Sequence, residues 1–354
     1  MELALYEPEL GYYRQPTNRP TDSGDFLTAP ETHPIFGWTL ARRIEEMWSS
    51  LGKPDPFWLI EYGAGSGSLG LSIFEGFRRH RARALLKAAR YRPIESNPHR
   101  IADVTRRFED ARLKDRLSLP PPTSFADLIA RGTDSGGAEP VLGVLLANEF
   151  LDALPVHRIT ALDGWLLELY VTWREGFVVV EAEPSSPELA RRLNAEHIAI
   201  EQLADGQIAE ICLGLDAWLA EAAAALDRGF VVVIDYGAES NELYDPRRHH
   251  AGTLLGYRGH HVVEDPFEQI GLTDLTAHVD FTALRLIGER HGLRTVSLTT
   301  QSEFLVAAGL EAELQALQAS PQTTAPDYLR ARSGIVRMLD PRHMGRFRVL
   351  TMER

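Results

Sequence analysis

The stretch Phe57-Trp58-Leu59-Ile60-Glu61-Tyr62-Gly63-Ala64-Gly65-Ser66-Gly67-Ser68-Leu69-Gly70 decides the fold. It opens on a short apolar run and ends in a glycine cluster. Such a pattern predicts a buried strand feeding a tight turn. Glycines at that point let the backbone approach a ligand with no Cβ in the way. The helix predicted next, residues 69–90, would aim its first amides at the same ligand.

Outward from this loop, strands and helices alternate. Upstream, Phe36, Leu40, Ile44, Met47 and Trp48 share one face of a helix predicted over 36–50. Residues 1–35, rich in Gly, Pro, Tyr and Asp, read as a loop with little regular structure. Downstream, Tyr91–Glu95 reads as a strand, weakened by Pro93, and 98–112 as a helix with Pro98 near its start. Residues 118–140, with Pro120-Pro121-Pro122 and Asp134-Ser135-Gly136-Gly137, read as connector. Val141–Ala147 and Gly229–Asp235 are continuous apolar runs, as central parallel strands covered on both faces require. The order predicts an α/β sheet. Between those two strands, 155–228 is more chain than one crossover helix needs. Residues 156–183 alternate around Asp163-Gly164 and Glu175-Gly176, which reads as a β-hairpin, and 187–204 and 214–227 as helices. An inserted α+β subdomain that shapes a pocket is expected. Strands at Leu293–Thr300 and Phe347–Met352 close the chain, with a helix over 302–318 between them.

The glycine loop itself reads three ways. Gly65-Ser66-Gly67-Ser68-Leu69-Gly70 satisfies G-x-G-x-x-G, the dinucleotide signature. Glu61-x-Gly63-x-Gly65-x-Gly67 instead has the form used by methyltransferases, with a carboxylate ahead of the first glycine. A carboxylate beside a pyrophosphate would repel it. Glu61 therefore favours a donor with a cationic amino acid end, S-adenosylmethionine. Glu95, ending the next strand, could accept both hydrogen bonds of a ribose diol in either cofactor. A structural glycine turn is the third reading.

Composition excludes some classes. The 354 residues hold 44% apolar and 25% charged side chains, ordinary for a globular core, and the net charge is −13. An acidic chain is not built to coat nucleic acid but suits a basic partner, or simply favours solubility. The single cysteine, Cys212, forms neither a disulfide within the chain nor a cysteine metal cluster, and fits a reducing compartment. The first residues carry no basic and apolar signal, and no apolar run approaches the ~20 residues of a membrane helix. A cytoplasmic protein without membrane insertion is expected; the oligomeric state is open.

Five further blocks stand in order with the loop: Tyr6–Tyr13, Gly24–Glu31, Ala147–Val156, Ile234–Gly237 and Asp274–Phe281. Together they resemble the MidA family, which includes the mitochondrial complex I assembly methyltransferase, from Leu3 to about Leu298. The resemblance implies a class I (Rossmann-like) seven-stranded methyltransferase sheet whose last strand, Phe347–Met352, is reversed. It also implies S-adenosyl-L-methionine as cofactor and arginine of a protein substrate as acceptor, with a link to respiratory complex assembly. A small-molecule methyltransferase and a donor-binding assembly factor with little turnover are the alternatives. One departure is that family members usually carry further residues ahead of the block where Met1 falls, which bears on the N-terminal wall of the pocket. The expected division is an N-terminal lid and helix region (1–50), a donor-binding half (51–154), the insertion (155–228), and a C-terminal half with the final hairpin (229–354).

Candidate site residues follow. Glu61, Gly63, Gly65, Gly67, Leu69 and Glu95 would hold the donor, with Asn148 and the Gly24, Asp25 and Thr28 loop, which the resemblance places near it as a lid. Asn148 and Glu149 end a central strand, the edge where α/β sheets bind ligands. Glu149, then Asp152, are expected to clamp a guanidinium, help remove its proton and serve with Asn148 as the catalytic set; the alternative is that Asn148 and Asp152 cap a following turn or helix. Asp235, Tyr236, His278 and Asp280 could face the acceptor, though Asp235 also reads as a turn residue and His278–Asp280 as a structural hydrogen bond. The pairs His249-His250 and His260-His261 match no metal-ligand spacing, so no metal is expected. The basic run Arg78–Arg83 reads as a solvated helix face, and Trp38, Trp48 and Trp58 as core.

Overall fold

A computed structural model describes residues 1–15, 28–119, 141–259 and 261–354. Gly24, Asp25 and His260 lie outside these residues. The first half of the chain supplies β1 (Phe57–Tyr62), β2 (Ala89–Ile94) and β3 (Val141–Asn148). β4 (His157–Leu162), β5 (Trp165–Trp173), β6 (Phe177–Ala182) and β7 (Ile208–Ile211) follow. They form a separate four-stranded sheet in the order β6-β5-β4-β7. Its hairpin turns where the pattern predicted: Asp163 and Gly164 both take positive φ, 51° and 77°, between paired Leu162 and Trp165.

The chain then returns to the main sheet with β8 (Leu226–Asp235). Short strands β9 (Gly237–Ala238), β10 (Leu255–Arg258), β11 (His261–Val263), β12 (Asp274–Thr276) and β13 (Val279–Asp280) lead to β14 (Arg294–Thr300) and β15 (Arg348–Glu353). The main sheet runs β14-β15-β8-β3-β1-β2. Its β2, β1, β3 and β8 are parallel, and β15 is antiparallel to both neighbours, as a reversed last strand demands. The fold is thus α/β with a mixed central sheet, but six strands form it among the described residues, not seven. Beyond β2 a single parallel bridge joins Tyr91 to Leu117, and the Ser118 N–H donates to the Tyr91 carbonyl at 2.8 Å. The sequence then enters three prolines, which offer a ladder no N–H.

Alternate residues of each central strand enter opposite cores. Val144, Leu146, Val232 and Ile234 join one cluster, Leu145, Ala147, Val231 and Val233 the other. That is why these strands read as unbroken apolar runs. Helices Ile35–Ser50 and Ser68–Arg79 cover one face, and Gly214–Ala225 and Phe281–Arg290 the other. Three helical expectations change. The helix over 187–204 is confined to Glu188–Ala195, ends ahead of His197 at φ 61°, and leaves only a single turn at Ile200–Gln202. The helix over 69–90 is two, Ser68–Arg79 and Arg83–Ala88, parted where Arg81 takes φ 60°. The helix over 302–318 is split at Gly309, φ 87°. A further helix, Ala325–Leu339, starts at a Thr324–Asp327 capping box with Pro326 inside its first turn. The N-terminal region also contains regular structure, Glu2–Tyr6 and a single turn at Ala29–Thr32.

Candidate active site

The carboxyl ends of β1, β2, β3 and β8 meet at one cavity of about 190 Å³. Gly63, Gly65 and Gly67 all take positive φ, 65°, 52° and 74°, conformations that side chains with a Cβ resist. The Ile94 carbonyl pins the loop by accepting the N–H of Gly63 at 3.0 Å. Gly67 begins helix Ser68–Arg79 with no side-chain cap, and packs on Val104 instead of lining the cavity. Gly70, the third glycine of the dinucleotide signature, serves packing: a Cβ there would sit 2.4 Å from the Tyr91 ring. Its match to that signature reflects close helix–strand contact.

Two carboxylates stand over this loop, Glu61 buried and Glu95 half-buried. Glu61 accepts the Tyr91 hydroxyl at 2.7 Å, and burial raises its pKa to about 8. Glu95 accepts the N–H of Gly65 and of Asn97, each at 2.9 Å, and burial pushes its pKa up as well. Each carboxylate oxygen has two lone pairs, so Glu95 keeps accepting capacity toward a diol. The residues present therefore fit a nucleoside with a charged amino acid end.

Across the cavity, β3 runs into Asn148-Glu149-Phe150. Glu149 sits at φ 47°, a sparsely populated state for a side chain of its kind, and its N–H is held by the Ile234 carbonyl at 2.8 Å. Its Oε1 accepts from the Ala29 N–H (3.2 Å) and from Asn148 Nδ2 (3.3 Å). Its Oε2 is buried and finds no partner among the described residues. Burial, then repulsion from Asp152, raise the Glu149 pKa to about 8. Asp152 accepts the Tyr236 hydroxyl on Oδ2, while Oδ1 is buried and unpartnered among the described residues. Burial raises its pKa to about 6.

Asp235 is placed otherwise than expected. It is wholly buried and does not line the cavity. Its Oδ2 accepts the N–H groups of Phe150 (3.2 Å), Leu151 (3.0 Å) and Asp152 (3.4 Å), and its Oδ1 that of Tyr236 (2.9 Å). It shapes the loop that carries Glu149 and Asp152. His278 and Asp280 line a smaller neighbouring pocket instead of the cavity. Asp280 caps helix Phe281–Arg290 through the N–H groups of Thr282 and Ala283. The His278 ring meets Tyr236 edge-on at 5.7 Å, so of the four residues expected at the acceptor, Tyr236 alone lines the cavity. Leu69 and Thr28 also line it.

Several wall residues were not singled out from the sequence. Tyr6 donates to the Ala153 carbonyl (2.9 Å), Tyr13 to Asp274 (2.8 Å), and Asn97 Nδ2 to the Tyr13 carbonyl (2.8 Å). The N-terminal segment thus ties the glycine-loop side of the cavity to the Glu149 side. Glu31, with its pKa raised by burial to about 7, and Arg100 complete the wall. Asn97 was readable as an N-cap ahead of Pro98, since its side chain accepts the His99 N–H; Tyr6, Tyr13 and Asp274 stood inside recognised blocks but carried no signal of direction.

Comparison with known proteins agrees with this geometry. Residues 39–299 match the model of a family described as S-adenosyl-L-methionine-dependent methyltransferase. The chain is 27% identical to "Protein arginine methyltransferase NDUFAF7 homolog, mitochondrial" of Drosophila melanogaster, covering 99% of this chain and 80% of that one. It is 27% identical to the Danio rerio "Protein arginine methyltransferase NDUFAF7, mitochondrial", covering 90% and 74%. A COG1565 superfamily member from Burkholderia thailandensis, crystallised with S-adenosyl-homocysteine, superposes with a TM-score of 0.82 at 27% identity, over 100% of this chain and 86% of that one.

One expectation is overturned. The named relatives are mitochondrial, which contradicts the cytoplasmic location read from the lone cysteine and the N-terminus. A free thiol marks a reducing environment without telling one such compartment from another. The family match spans well over half of the sequence, and the chain belongs to the MidA-type family of S-adenosyl-L-methionine-dependent methyltransferases.

Proposed function

We propose that the protein methylates arginine in a protein substrate, with Glu149 and Asp152 as the groups that receive the guanidinium. The observation that carries this reading is a pair of buried carboxylate oxygens, Glu149 Oε2 and Asp152 Oδ1, each without a partner among the described residues, in two side chains that line the cavity. A buried unpaired acceptor is costly, and a guanidinium, with five N–H donors and a permanent charge, satisfies two at once. The names of the curated relatives support the same acceptor.

Bound S-adenosylmethionine supplies an electrophilic methyl group on a sulfonium. Glu61, Gly63, Gly65, Leu69 and Glu95 would hold it from the glycine-loop side, with Thr28 and Asn148 closing over it. Gly67 contributes through the turn. Glu149 and Asp152 would orient one guanidinium nitrogen along the line of attack, the geometry on which such displacements chiefly depend. A guanidinium entering the cavity draws both carboxyls back to the ionised form. As the N–C bond forms and the S–C bond breaks, the nitrogen loses a proton, and Glu149 is placed to take it. Tyr236 donates to Asp152 and fixes which of its oxygens faces the acceptor.

The test is to incubate the protein with methyl-labelled donor and host-cell lysate, then map the labelled residues by mass spectrometry. Label on the terminal nitrogens of arginine is expected. Label confined to other residues or to small molecules would overturn the reading.

A further inference from the structure

The sheet β6-β5-β4-β7 is apolar on both faces, yet one face is left bare. On its inner side Leu166, Leu189 and Leu193 pack together. On its outer side Trp173 pairs across strands with Phe177, and Val171 with Val179. These side chains are exposed by 65%, 46%, 54% and 40%, and Trp165, near the start of the same face, by 74%. Aromatic side chains offer roughly 150–250 Å² each, so the bare apolar area is on the order of 500 Å², at the upper end of what monomers carry. β6 is also an edge strand, with one row of backbone groups unpaired within the sheet.

This face continues to the cavity mouth. Phe177 stacks on Phe267 at 5.2 Å with planes 16° apart. Exposed Ile270 and Leu272 follow in the chain soon after Phe267. Between them Gly271 lies so close to the Leu10 carbonyl that a Cβ would sit 2.4 Å away. Exposed Leu10 precedes Tyr12 and Tyr13, which line the cavity, and Asp274, just past Leu272, accepts the Tyr13 hydroxyl.

We propose that this apolar track, from Trp173 and Phe177 through Phe267 to Leu10, is where the methylated protein docks while its arginine enters the cavity. The proposal rests on the arginine reading above. Two features select this occupant. The track ends at an acidic cavity, which calls for a basic side chain at one end of an apolar segment. The nine residues of β5 alone span about 30 Å, more than a free amino acid or a tripeptide covers.

The test uses the full chain with a photo-crosslinking residue in place of Val171, labelled donor and host-cell lysate. The protein trapped at position 171 is expected to be the one that gains labelled arginine. With that protein purified, Trp173→Ser with Phe177→Ser should raise its KM at least ~10-fold, as loss of aromatic anchors does, while kcat and donor affinity stay within about twofold. Trapping a second copy of this chain, a different protein, or nothing while arginine labelling proceeds would overturn the docking proposal alone. So would an unchanged KM. If the wild-type chain labels no arginine, the arginine reading fails and the docking proposal with it.

Discussion

Asp235 Oδ2 accepts the backbone N–H of Leu151 at 3.0 Å, across 84 residues of chain. With Phe150 and Asp152 donating to the same oxygen, the end of β8 holds the loop that leaves β3. That loop contains Glu149 at its unfavourable positive φ. A strained residue persists where its surroundings over-determine it, and Asp235 supplies that restraint.

Replacing Asp235 with Asn should therefore harm both stability and turnover. Both carboxylate oxygens face N–H donors, so an amide must turn its NH2 against one set. A loss of about 2 kcal/mol in unfolding free energy is expected, the scale of leaving a buried donor unsatisfied. Denaturant titration checks the stability, and the change in kcat should exceed the change in donor affinity.

Gly70→Ala tests the packing role of the third glycine. Its Cβ would press on the Tyr91 ring, the partner of Glu61. Overpacking of this kind costs about 1–3 kcal/mol. Calorimetry should show weaker S-adenosylmethionine binding as well, because the displaced hydroxyl removes one of the donors that hold Glu61.

Much of the fold was legible because the central strands carry both cores: unbroken apolar runs at 141–147 and 229–235 mark β3 and β8 without ambiguity. The turn at Asp163-Gly164 was readable for a different reason, since its residues tolerate positive φ. The split at Gly309 was hidden, because a lone glycine inside a helical pattern breaks some helices and not others. At the site, Glu61, Glu95 and Glu149 were findable as carboxylates at strand ends. Asp235 was equally a strand-end carboxylate, and local sequence cannot tell whether such a group faces a ligand or turns under its own chain. Tyr13 and Asp274 meet across 261 residues, a pairing that no local pattern encodes.

Stability of the donor-free protein should fall as pH rises from about 5 to 8. Glu61 and Glu149 have folded pKa values raised to about 8, and Asp152 to about 6, above the ordinary ~4 of unfolded carboxyls. The native state then holds more protons than the unfolded one across that window, so its stability is full below it and lost as these groups ionise. Thermal melts over this pH range should show a shallower decline for Glu149→Gln than for the wild type.

Glu149→Gln also provides the most direct measurement. Labelled methyl transfer to arginine and calorimetric S-adenosylmethionine binding should be followed in the same variant. The account predicts transfer lowered ~100-fold or more, the scale of a lost proton acceptor, with donor affinity within about threefold of wild type. Full turnover in the variant would contradict it and remove Glu149 from the reaction.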